Sequence, residues 1–151
     1  MAFYICPNCQ ARTVDDDGRQ GLSHQPVGCS HCGFGYVFQL LDDYFPRAGS
    51  GMATGDRAGR VLSTSGGMFE LTGRRESDLL GRPLNEALHL GAFDGGVDPV
   101  STALEWGVRQ LDRKAKLTSM AGTAKPVIVD VFPALDDDGG VLLAVAPDPE
   151  A

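Results

Sequence analysis

The sequence predicts an α+β protein in two unequal parts. A small β module covers residues 1–41, a linker covers 42–50, and residues 51–147 form a five-stranded antiparallel sheet with helices on one side. Three observations carry this division. All four cysteines fall before residue 33, as two Cys-x2-Cys pairs. Pro46 and Gly49 break regular structure in the stretch from Asp42 to Ser50. Beyond it the pattern runs as two strands, several short helices, one longer helix and three closing strands.

The two pairs, Cys6-Pro-Asn-Cys9 and Cys29-Ser-His-Cys32, use every cysteine of the chain. A tetrahedral Zn²⁺ ion takes four thiolates, and each short turn presents two sulfurs to it, so Cys6, Cys9, Cys29 and Cys32 would close the shell of a structural zinc site. Two disulfides or four free thiols are the other readings of the same residues. His24 and His31 could stand in for a thiolate, but four cysteines already satisfy the ion. Phe3 to Ile5 reads as a strand entering the first pair, and Gly35 to Leu41 as a strand leaving the second. Val14 to Gly28 is polar and glycine-containing, as a loop or irregular hairpin would be. So small a module has little core, and zinc binding is worth about 10–16 kcal/mol in small zinc-finger peptides. The four cysteines and their flanking strands resemble a zinc ribbon over roughly the first 40 residues.

Tyr44 and Phe45 make the linker aromatic, which implies packing on one module or both rather than a free tether. Met52 to Thr54 is a strand candidate, Asp56-Arg57-Ala58-Gly59 a turn, and Arg60 to Ser65 a second strand. Ser65 can cap a helix carrying Met68, Phe69 and Leu71 that Gly73 ends. Glu76 to Leu80 reads as another short helix stopped by Gly81, with acidic residues in its first turn. Asp98-Pro99 starts the longer helix: Asp accepts amide bonds as N-cap, and Pro at the first helical position lacks an N–H that would be orphaned. Val100, Ala103, Leu104, Val108 and Leu111 then share one face. Lys114 to Met120, Lys125 to Leu135 and Val141 to Ala146 are the closing strands. Asp136-Asp137-Asp138-Gly139-Gly140 supplies the last turn.

That order, with Asp56-Arg57-Ala58-Gly59-Arg60-Val61-Leu62, Phe69-Glu70-Leu71-Thr72-Gly73 and Asp78-Leu79-Leu80-Gly81-Arg82, resembles a PAS domain over about residues 51–147. Two departures stand out. PAS sequences often have Asn where this chain has Ser65, and an aromatic followed by a capping Ser where it has Arg74 and Arg75. The resemblance implies a sensor or interaction module that binds a small ligand between sheet and helices, or a dimerising switch without one. Light-sensing members carry a cysteine for the flavin photoadduct, and residues 51–147 contain none. Haem-binding members commonly use a His on the long helix, and Pro99 to Leu111 contains none either. His89 is the one histidine of this half and reads as a structural residue rather than a ligand.

Asp15-Asp16-Asp17-Gly18 and Asp136-Asp137-Asp138-Gly139 lack the alternate spacing of a calcium loop and read as turns. Asp130, between Ile128 and Phe132, either faces a ligand cavity or lies on the solvent side of its strand. Trp106 falls off the apolar stripe, beside Thr102, Arg109 and Arg113. It reads either as part of a contact surface or as a ring lying flat over neighbouring turns or under the cysteine module. Trp106, Arg109, Tyr44 and Phe45 are therefore the candidate interaction surface.

The 151 residues carry a formal net charge of −7. Residues 1–48 hold three Arg and five Asp, so no basic module is concealed in the acidic total. This argues against nucleic acid as a partner. Met1 to Ile5 lacks the character of a signal peptide and no apolar run is long enough to span a bilayer, which suits a cytoplasmic protein with reduced thiols. No nucleophile has a base beside it, so no enzyme is predicted. The sequence points to a regulatory or sensory protein in signal transduction or transcriptional control. No output module follows the last strand, so a protein partner or a homodimer is expected to carry the signal, with a small-molecule ligand as an option. A nucleic-acid-binding ribbon and a thiol–zinc redox switch are the alternative readings.

Overall fold

The computed structural model describes the backbone of residues 2–5, 12–15 and 38–40, and residues 47–64, 66–133 and 140–149. Three strands lie in the first part: β1 (Ala2–Ile5), β2 (Arg12–Asp15) and β3 (Phe38–Leu40). They form an antiparallel sheet in the order β2-β1-β3. Ile5 pairs with both Arg12 and Phe38, so β1 ends, and β2 and β3 begin, at the same end of this sheet.

The second part opens with β4 (Gly51–Gly55) and β5 (Val61–Thr64), joined by the Asp56–Gly59 turn. Asp56 makes that turn by chemistry local to it: its Oδ1 accepts from the amides of Ala58 at 2.9 Å and Arg60 at 3.0 Å. Three short helices follow, α1 (Gly66–Thr72), α2 (Glu76–Leu79) and α3 (Leu84–Leu88). Gly73 ends α1 with φ of 71°, and its amide reaches back to the Phe69 carbonyl at 2.7 Å. Arg74 then donates to the carbonyl of Thr118 at 2.9 Å, tying the end of α1 to the sheet. Burial, and secondarily the nearby Arg82 charge, hold the Arg74 guanidinium below its usual pKa.

After β6 (Leu90–Gly91) and a 3-10 turn at Asp94–Gly96 comes α4 (Pro99–Trp106). Asp98 caps it, accepting from the Val100 amide at 2.9 Å and from the Ser101 hydroxyl at 2.8 Å. The strands β7 (Gln110–Thr118), β8 (Ala124–Pro133) and β9 (Val141–Pro147) complete an antiparallel sheet in the order β5-β4-β9-β8-β7-β6.

The sheet has six strands, not five. The extra one is a two-residue edge, Leu90 and Gly91, paired with Leu117 and Lys116. The long helix is also shorter than the apolar stripe implied. It stops at Trp106 because Gly107 takes a left-handed conformation, leaving Val108 exposed and Leu111 in β7. Ser65 and residues 134–139, with most of the last turn, lie outside the described residues.

The helices and one face of the sheet enclose the main core. Met68, Leu79, Leu84, Leu88 and Val100 pack there with Leu117, Val127, Val129, Val131, Leu143 and Val145. A second cluster, Met52, Phe132, Leu142 and Ala144, occupies the opposite face. Its positions alternate with those of the core along β4, β8 and β9.

Candidate functional site

Two groups of residues stand out once the core is set aside. The first is polar and buried. Asp130, 2 % exposed, sits on β8 opposite Ala144. It belongs to the face of Phe132, away from the helices, so it faces neither a cavity under the helices nor open solvent. β7 carries a bulge at this level: Gln110 pairs with Val131 and Arg113 with Val129, so Leu111 and Asp112 together oppose Asp130. Asp112 adopts φ of 57°, which turns its amide onto the Asp130 Oδ1 at 2.8 Å. Arg47 donates to the other Asp130 oxygen and, through its second terminal nitrogen, to Asp112. Among the described residues this buried carboxylate is thus met by a guanidinium and a backbone amide, as low-dielectric burial requires. The sequence isolates Asp130 as a carboxylate among Val and Ile, but gives no sign that its partner would be the linker arginine.

The second group is apolar and open. Trp106 is 72 % exposed at the last position of α4, and Val108 and Leu111 follow it, also exposed. Arg109 is exposed between them. Arg113 fixes the start of β7 by donating to the Asp94 carboxylate at 3.1 Å and to the Asp94 carbonyl at 3.2 Å. Trp106 and Arg109 therefore share one outward segment on a fixed frame, whereas Tyr44 and Phe45 lie outside the described residues. So do Cys6, Cys9, Cys29 and Cys32, along with His24 and His31.

His89 caps the end of α3 in a left-handed conformation, φ 54°, and its side chain is exposed. Its carbonyl accepts from the Thr118 amide at 3.0 Å, which ties the end of α3 to β7. No described helix is long and apolar enough to cross a membrane.

No family model and no curated protein matches the chain. Solved structures do. The PAS domain of a protein from Colwellia psychrerythraea superposes with a TM-score of 0.55 at 15 % identity, over 69 % of this chain and 90 % of that one. The PAS domain of nitrogen regulation protein NR(II) from Vibrio parahaemolyticus gives 0.55 at 12 % identity, over 68 % and 92 %. The light-state dimer of the fungal blue-light photoreceptor Vivid gives 0.53 at 9 % identity, over 70 % and 81 %. The second part of the chain therefore has the PAS-domain fold.

Proposed function

We propose that this chain is a non-enzymatic regulatory protein in which a PAS-fold domain acts as a protein-interaction module and carries a structural zinc ribbon ahead of it. The observation that carries this reading is Trp106, 72 % exposed beside exposed Val108 and Leu111. A large ring held open on a fixed segment, next to a guanidinium, is the composition of an interface hot spot. By contrast, the space between sheet and helices is lined by closely buried aliphatic side chains with the chemistry of a core. The PAS-fold structure of Vivid is a dimer, which supports association as the output.

The zinc reading draws support from topology. The first Cys-x2-Cys pair lies in the connection from Ile5 to Arg12, and the second precedes β3. The first connection opens and closes at the end where Ile5, Arg12 and Phe38 are paired, and the second, leaving the other end after Asp15, returns there at Phe38. One four-thiolate ion needs its two turns at one end of a sheet.

Native mass spectrometry with metal analysis, on protein purified from its own host, tests the whole reading. One zinc per chain and a bound protein or second copy are expected. Trp106→Ala should weaken that association by about tenfold while leaving the thermal midpoint in place. A stoichiometric small molecule in place of a protein partner would instead make the chain a ligand sensor.

A further inference from the structure

Val108, Arg109 and Leu111 of the exposed segment lie between two left-handed residues, Gly107 with φ of 66° and Asp112 with φ of 57°. Glycine takes that conformation freely, whereas a residue with a Cβ takes it at a cost. The left-handed turn at Asp112 therefore needs support from outside its own backbone. Two contacts supply it: the Asp112 amide donates to the Asp130 Oδ1 at 2.8 Å, and the Asp112 carboxylate accepts from Arg47.

Arg47 serves two carboxylates at once. One of its terminal nitrogens donates to Asp130 at 2.5 Å and the other to Asp112. Asp130 is 2 % exposed, so this is not a screened surface contact. Without the guanidinium the two like charges would disfavour the arrangement that brings Asp112 over Asp130. Leu111 and Asp112 together oppose Asp130 at the bulge, and a bulge re-aims the side chains it carries. The backbone of Asp112 thus sets the direction of its chain neighbour Leu111, 40 % exposed.

We propose that Arg47 and Asp130 are positioning residues for the Trp106 surface: they hold Asp112 left-handed and so keep Leu111 in its place in the exposed segment. This rests on the reading of that segment as an interface. It differs from the Arg113–Asp94 pair, which fixes β7 from within the domain, because Arg47 comes from the linker. A shift of the linker that withdraws Arg47 would change the surface without any ligand entering the core.

Nuclear magnetic resonance on the isotope-labelled full chain tests the proposal. A strong intraresidue contact between amide and Hα protons marks a positive φ, and the native chain should show it at Asp112. In Arg47→Ala it should be lost, and the Leu111 methyl signals should move while those of Leu143 and Val145 in the core stay in place. In the double variant Arg47→Ala, Asp112→Gly, the Leu111 signals should return toward their native positions, because glycine needs no support to stay left-handed. A merely structural role for Arg47 would not give that rescue. A strong Asp112 contact with unmoved Leu111 methyls in Arg47→Ala would overturn the proposal. So would Leu111 signals that move in the single variant and do not return in the double one. These signals come from the chain alone, so they decide the role of Arg47 even where a partner binds Trp106→Ala as well as the native chain and the interface reading fails.

Discussion

A carboxylate in the interior of a sheet is stable only where donors replace the water it has lost. Among the described residues two such donors face Asp130, the Asp112 amide and the Arg47 guanidinium, and both come from irregular backbone. The amide depends on a bulge and a left-handed aspartate, while the guanidinium depends on a linker turn. Removing the guanidinium takes away the cation that the described residues set against this charge. Breaking a fully buried pair costs about 3–5 kcal/mol, and the 32 % exposure of Arg47 reduces this, so Arg47→Ala should destabilise the chain by about 2 kcal/mol. Urea unfolding monitored by circular dichroism checks the value. A change below about 0.5 kcal/mol, as for a surface pair, would mean that the ion pair does not hold the linker.

At the scale of elements, α4 shows what the sequence does and does not disclose. Its start is legible because Asp98-Pro99 is a local signal: the cap bonds span two and three residues. Its end is not, because the stripe Val100, Leu104, Val108, Leu111 continues the helical period past Gly107, and one backbone dihedral overrules it. A Cβ at Gly107 would meet nothing within 4 Å, so Gly107→Ala tests the dihedral alone. It should cost about 1 kcal/mol, read from the thermal midpoint, through the left-handed conformation at φ of 66°. The same contrast runs through the rest of the fold. The turn at Asp56 and the stop at Gly73 are local and were readable. The two-residue β6 and the five-residue α3 carry too little pattern to detect, and their place is set by packing. Of the candidate site, Trp106 was marked by falling off the stripe. The Arg47–Asp130 pair joins residues 83 apart, a relation that no local spacing encodes.

For the whole molecule, the six-stranded sheet and the helices on one of its faces share one core. If Cys6, Cys9, Cys29 and Cys32 hold zinc, a chelator such as EDTA should change the calorimetric unfolding profile, and an unchanged profile would mean that no zinc supports the fold. Two resolved transitions would show that the parts fold independently. The sheet order has a further consequence. β4 lies between β5 and β9, and its partner residues in β9, such as Leu143 for Ala53 and Val145 for Gly51, are supplied near the far end of the chain. During synthesis β4 can therefore find β5 early, but one of its edges stays open until β9 has been made. Arg47 likewise cannot meet Asp130 until β8 exists.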